Sequence, residues 1–229
     1  MLKALIFDVD GTLAETEELH RASFNKVFAH FNLNWHWDLE TYGKLLTTTG
    51  GKERIARYAF EIGYRLPDAE LILKMHSLKN DYYAKAVCDG GLVLRPGIGK
   101  IIREAPHRGI KLGIATTTSR SNLMALLRSC FSETEQMAFN AIVCGEDVSR
   151  KKPDPEVFLK CLAELSVRPN EALVIEDSLI GLAAAKAANI ATIVTPSAYT
   201  LNEQFSGALA VLPDLAGGIE HVLSHWVDA

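Results

Sequence analysis

The stretch KALIFDVDGTLAETEELH, residues 3–20, decides how the chain is read. KALIF is too short for a helix and lacks polar alternation. It therefore reads as a strand buried on both faces of a parallel sheet. Asp8 and Asp10 stand directly at its carboxyl end, with Gly11 behind them. A pair of acids on a turn is ordinary by itself. It becomes chemistry only if distant segments deliver groups that two carboxylates can use.

Four more runs share the form of the first: KLGIAT (111–116), NAIVC (140–144), ALVIE (172–176) and IATIV (190–194). Between them the spacing predicts helices over RPGIGKIIREAPHRG (95–109), SRSNLMALLRSCF (119–131), PDPEVFLKCLAEL (153–165) and SLIGLAAAKAAN (178–189). Strand and helix alternate to the end of the chain, which predicts a doubly wound, Rossmann-like α/β domain with a parallel sheet. Residues 15–90 carry only helical patterns: ETEELHRASFNKVFAHF, DLETYGKLL, KERIARYAFEIG and DAELILKMHSLKNDYYAKAV. The chain thus divides into a core, 1–14 and 91–229, and an inserted all-helical cap, 15–90. The expected hinges lie near Thr12–Glu15 and Gly90–Pro96.

Composition narrows the function classes. The 229 residues are 48% hydrophobic with a formal net charge of -4, so a nucleic-acid surface is not expected. No apolar run approaches the roughly 18 residues of a membrane span, and MLKALIFDVDG meets an acid too early for a signal peptide. Cys88, Cys130, Cys144 and Cys161 are scattered without a CxxC pair. Reduced thiols in the cytoplasm follow, zinc does not, and nothing calls for an obligate protein partner.

In an open parallel sheet, ligands bind beyond the carboxyl ends of the strands. That rule gathers Asp8 and Asp10, the strand end Thr116-Thr117-Thr118, the helix-opening Lys151-Lys152-Pro153, and Glu176-Asp177-Ser178. Acids, hydroxyls and a lysine suit phosphoryl transfer. A carboxylate can attack phosphorus only if its charge is offset. Asp8, the Asp10 main-chain carbonyl and Asp177 offer the hard oxygens that Mg²⁺ takes, and Lys152 adds a second positive charge. Thr116 and nearby N–H groups can hold phosphate oxygens. Asp10 can protonate the leaving oxygen and later deprotonate water.

DVDGT at a strand end, a Thr-terminated second strand, KP and then EDS resemble the four-motif signature of the haloacid dehalogenase superfamily, along the whole chain. Its phosphatase branch implies Asp8 as nucleophile, Asp10 as acid/base, Thr116 as phosphate anchor, Lys152 as charge stabiliser and Asp177 as Mg²⁺ ligand. Glu176 would be a supporting or alternative metal group. The insert resembles the cap of the subfamily that holds β-phosphoglucomutase and small phosphatases. Such caps exclude water and select substrate. LLTTTGGKERIARY (45–58) is similar to the cap loop of the CbbY-type phosphatases, which remove phosphate from xylulose 1,5-bisphosphate, an inhibitor of Rubisco.

The residues agree with that substrate class. A bisphosphate needs a second anion site, and Thr47, Thr48, Thr49, Gly50, Gly51 and Lys52 supply hydroxyls, backbone N–H groups and a cation, with Arg54 and Lys79 adding charge. Thr117 and Thr118 extend the phosphate end, while Glu17, His20 and Tyr42 could hydrogen-bond sugar hydroxyls. The mutases carry a lysine just before the loop glycine, where this chain has Thr49, which favours phosphatase over mutase. Phosphoglycolate is the other small substrate to weigh, and a non-catalytic sugar-phosphate binder is the reading from another class.

Plainer readings stand beside each of these. EDS alone is a good helix cap, Thr116–Thr118 alone a β-branched strand end, and Lys152 alone a solvated surface lysine. GGKER is not a nucleotide loop, because G-x-x-x-x-G-K-[ST] would need glycine at Leu46 and a hydroxyl at Glu53. Lys52, Arg54 and Arg57 could simply solvate a helix face, and His20 could pack in a core. His221 and His225 read as surface histidines, and Trp35 and Trp37 as cap packing.

Overall fold

A computed structural model describes residues 1–64 and 69–226. Asp68, the first residue of the fourth cap segment as read above, lies outside the described residues. Six parallel strands form one sheet in the order β3-β2-β1-β4-β5-β6. They are β1 (Ala4–Phe7), β2 (Lys111–Ala115), β3 (Phe139–Val143), β4 (Ala172–Glu176), β5 (Ala191–Val194) and β6 (Ala210–Val211). Every residue of β1 and β4 is buried, the reason these runs read as continuous apolar stretches. The chain leaves β1 towards β2 on one side and returns to β4 on the other, so the topological switch falls beside β1. The short β6 was not among the expected strands. Its two residues carry too little pattern to be read.

Helices α1 (Glu17–His30), α2 (Leu39–Leu45), α3 (Gly51–Glu61) and α4 (Ala69–Ala86) occupy the segment expected to be all helical, with no strand among its described residues. They enclose their own apolar cluster of Phe24, Val27, Phe28, Trp35, Trp37, Tyr42, Leu45, Ile55, Ala59 and Met75. The expectation that Trp35 and Trp37 pack here is met, and Trp37 is fully buried against Phe24 and Phe28. Two link segments join this block to the sheet domain, and they meet in an antiparallel bridge between Ala14 and Leu94.

Around the sheet follow α5 (Ile98–Glu104), α6 (Arg120–Cys130), α7 (Glu133–Met137), α8 (Glu156–Leu165), α9 (Leu179–Ala187) and α10 (Ile219–Trp226). The helix expected over 95–109 is shorter, because Pro106 turns it into a 3₁₀ turn and Gly109 ends it in a left-handed conformation. Ser119 and Ser178 cap α6 and α9, accepting from the Asn122 and Gly181 N–H groups. The unanticipated α7 opens with a capping box between Ser132 and Glu135, a signal present in its S-x-x-E spacing. On one face of the sheet α8 lays Val157, Phe158, Cys161 and Leu165 over β2 and β3. Burying Phe158 alone contributes roughly 1.5–3 kcal/mol. Among the described residues no helix is long and apolar enough to cross a membrane.

Gly97 closes the second link with φ of +87°, and a Cβ there would run into the Leu215 carbonyl. Gly97→Ala is therefore expected to cost more than about 1 kcal/mol. A lower urea midpoint with an unchanged m-value would show it.

Candidate active site

The four motifs converge at the carboxyl ends of β1, β2 and β4. The parallel register aligns Phe7 with Ile114 and with Ile175, so the next residues of all three strands emerge side by side. Asp8 extends the ladder by donating its N–H to the Ile175 carbonyl (3.0 Å). The loop before α8 brings Lys152 in from the side, and its ammonium donates to Asp8 Oδ1 at 2.6 Å and Glu176 Oε1 at 2.7 Å. The other Glu176 oxygen accepts from the Asp177 N–H, the Ser178 N–H and the Ser178 hydroxyl. Lys152 is 4% exposed, so the reading of a solvated surface lysine does not apply.

Charge is only partly balanced here. Burial pushes the Asp8 carboxyl up to about 8; Lys152 works against this, and Glu176 and Asp10 add to it. Burial likewise holds Asp177 well above the usual carboxylate range, reinforced by Glu176 and Asp8. Lys152 stays protonated against its own burial because Asp8 and Glu176 flank it. Asp8, Glu176 and Asp177 bring carboxylate oxygens within 4.8 Å of one another. An all-oxygen set with uncompensated repulsion fits a hard divalent cation.

Asp10 belongs to a second network. Its Oδ1 accepts from the Thr16 hydroxyl (2.6 Å) and faces His20 Nε2 at 3.0 Å. His20 Nδ1 faces the Lys79 ammonium at 2.6 Å, and the ring stacks on Tyr83 with centroids 4.1 Å apart. Burial, followed by the Lys79 charge, lowers the His20 pKa, so the ring is neutral. Its Nε2–H then donates to Asp10 while Nδ1 accepts from Lys79. Burial opposes the Asp10 charge, but His20, Thr16 and Lys79 together hold this carboxyl below the ordinary range.

The structure brings together most of the residues expected in the site and gives some of them other work. Thr116 is buried, and its hydroxyl accepts from the Thr118 N–H. Tyr42 is fully buried; it donates to Glu17 (2.6 Å) and accepts from Arg54 (2.9 Å). It therefore holds Glu17 and Arg54 in place. Thr47 is tied to the Lys44 carbonyl and to Arg57. Thr49 reaches across from the helical block and donates to the Lys152 carbonyl at 2.8 Å. Beside it, Glu53 pairs with Lys151 at 2.6 Å.

Two cavities meet at Asp10, Glu17, Arg54 and Thr117. One, of about 290 Å³, contains Asp8, Thr116, Lys152 and Asp177. The other, of about 510 Å³, contains Gly51, Lys52, His76, Lys79, Thr118 and Ser119. Burial first, then the positive field of Lys79, Lys52 and Lys151, pushes His76 down to about 3, so its ring is neutral in the second chamber. Thr16 and His76 carry no site reading in the sequence, whereas Lys151 stands in the helix-opening Lys151-Lys152-Pro153 run. Thr16 and His20 stand four apart on the turn entering α1, which was the available signal.

Comparison with known proteins fits this geometry. The family model "Haloacid dehalogenase-like hydrolase" matches residues 5–195, and the chain belongs to that family of hydrolases. It is 47% identical over 222 residues to Protein CbbY of Cereibacter sphaeroides, covering 96% of each chain, and 46% identical to Protein CbbY of Rhodobacter capsulatus, covering 94% of each. Among solved structures it resembles CbbY from Rhodobacter sphaeroides in complex with phosphate (46% identity, 96% of this chain and 98% of that one, TM-score 0.89). A mutant of that protein in complex with xylulose-(1,5)bisphosphate gives a TM-score of 0.90 at 45% identity, with the same coverage. A β-phosphoglucomutase from Clostridium difficile (TM-score 0.84, 21% identity) shares the fold.

Burial lowers the Lys79 pKa to about 7, from an ordinary lysine value of 10.5. Between those values the unfolded chain binds more protons than the folded one, so this group makes stability rise with pH. Lys79→Met is expected to raise the melting temperature at pH 6 and to raise it less at pH 10, as calorimetry at both values would show.

Proposed function

We propose that this hydrolase is a Mg²⁺-dependent phosphatase that converts xylulose 1,5-bisphosphate to xylulose 5-phosphate through an aspartyl phosphate. The observation that carries the reading is the pair of joined chambers. The smaller holds a carboxylate with an adjoining ammonium, and the larger is lined by the cations Lys52, Lys79 and Lys151. The likeness to CbbY, one form of which was crystallised with xylulose-(1,5)bisphosphate, supports the choice of ligand. On this reading residues 15–90 are a cap over a core of 1–14 and 91–229, and the enzyme serves carbon fixation in the Calvin cycle.

Asp8 Oδ attacks phosphorus, the bond from phosphorus to the sugar oxygen breaks, and its electron pair leaves with that oxygen. Asp10 gives the oxygen a proton. Asp10 then takes a proton from water, whose oxygen attacks phosphorus and releases phosphate and the Asp8 carboxylate. The depressed pKa of Asp10 suits the second half, and an arriving phosphate dianion favours its protonated form for the first. Thr116 and the Thr117 N–H group hold the phosphate, and Lys152 stabilises its charge. Asp8, Asp177 and the Asp10 main-chain carbonyl would hold Mg²⁺, which supplies further positive charge to the phosphate oxygens. Glu176, already bound through both oxygens, would orient Lys152 and Asp177 from beside the metal. Lys52, with Gly51, Arg54 and Lys79, would take the second phosphate.

Phosphate release from xylulose 1,5-bisphosphate, ribulose 1,5-bisphosphate, phosphoglycolate and β-glucose 1-phosphate tests the reading. The expected result is a strong preference for the first, loss without Mg²⁺, and a loss of at least about 10³-fold in Asp8→Asn. Equal turnover of phosphoglycolate would remove the bisphosphate from the assignment. Saturable binding without turnover of any ester would favour a binding protein.

A further inference from the structure

The second link between cap and core carries a residue that the chemistry above does not use. Arg95 follows the Ala14–Leu94 bridge, and its N–H donates to the Leu13 carbonyl at 2.9 Å. Its guanidinium turns inward, with 10% of the side chain exposed. Nη1 donates to the Gly11 carbonyl and to the Thr195 carbonyl (2.7 Å), and Nη2 to the Pro196 carbonyl (2.8 Å). Glu15 lies 3.5 Å from Nε. One side chain therefore joins two loops about 185 residues apart in sequence.

Both loops bear on the reacting groups. Gly11 follows Asp10, has φ of +81°, and is packed so closely on the Asp177 carboxylate that a Cβ would collide with it. The other loop continues into Ser197, which a Cβ on Gly11 would also meet, and Thr200, which donates to the Asp177 carbonyl at 2.7 Å. The planar fork of arginine reaches diverging carbonyls that the compact ammonium of lysine cannot reach together. Carbonyls that fix a buried guanidinium are in turn fixed by it.

We infer that Arg95 is a positioning residue for proton transfer: by clamping the Gly11 carbonyl to the Thr195–Pro196 loop, it holds Asp10 in line with the leaving oxygen while the cap moves. The inference rests on the reading of Asp10 as the acid. Leaving-group dependence separates this role from simple support of the fold. A sugar alkoxide needs a proton to depart, whereas the acetate released from acetyl phosphate does not.

The experiment measures kcat/KM of wild type, Arg95→Ala, Arg95→Lys and Asp10→Asn with xylulose 1,5-bisphosphate and with acetyl phosphate, alongside thermal melts. For Arg95→Ala the expected loss is on the order of a hundredfold with the sugar ester and within about threefold with acetyl phosphate. Arg95→Lys keeps the charge in its nest of carbonyls and so retains the fold, with a smaller loss of the same selectivity. Asp10→Asn shows the selectivity in full. Equal losses on both substrates in Arg95→Lys and Arg95→Ala, with Asp10→Asn selective, would overturn the positioning role and leave the acid assignment standing. An unselective Asp10→Asn would overturn both.

Discussion

The proposed active centre depends on one buried ammonium. Lys152 lies between Asp8 and Glu176, 4% exposed and within 2.7 Å of a carboxylate oxygen on each side. Removing it would leave two carboxylates facing each other and Asp177 in a medium that cannot screen them. Its position follows from the fold. Three parallel strands end together, and the turn before α8 swings the lysine over the Phe158 ring at 4.7 Å to meet them. Even so the acids outnumber the cation, and Asp8 and Asp177 both remain harder to ionise than free carboxylates. This residual repulsion makes the cluster suited to a divalent cation.

Asp10 has been given the opposite environment only two residues away. Thr16 and neutral His20 hydrogen-bond its carboxylate, and Lys79 closes the chain behind the ring. Two acids on one turn thus differ in protonation because different elements surround them. Both partners of Asp10, and the lysine behind them, come from the helical block or from the link leading into it. Thr49 and Glu53 bind the Lys152 carbonyl and Lys151 from the same side, and Glu18 meets the Tyr199 hydroxyl from the other. Docking of the block on the sheet domain therefore completes the environment of the acid as well as the walls of the chambers.

Much of this was legible in the chain. Buried parallel strands have an apolar signature, so five of the six strands and the meeting of the motifs at their ends could be read directly. The helical block showed itself by the absence of strand patterns over seventy residues or so. What could not be read was which hydrogen-bonding groups would find partners inside the protein. Tyr42 reads as a sugar contact, and the sequence does not show that its hydroxyl bonds Glu17 and Arg54. His20 looked like either a ligand contact or a packed ring, and the structure combines a stack on Tyr83 with a link to Asp10. Arg95 gave no signal, since its carbonyl partners belong to backbone and leave no trace in residue identity.

The central claim is that Asp8 carries the phosphoryl group during turnover. Acid quenching of the enzyme with xylulose 1,5-bisphosphate, followed by borohydride reduction and peptide mass analysis, tests it most directly. An acyl phosphate on Asp8 would be reduced to homoserine at that position alone, and only in samples exposed to substrate. Turnover with an unmodified Asp8, or phosphate found on another residue, would contradict the covalent mechanism built on the Asp8–Lys152 pair.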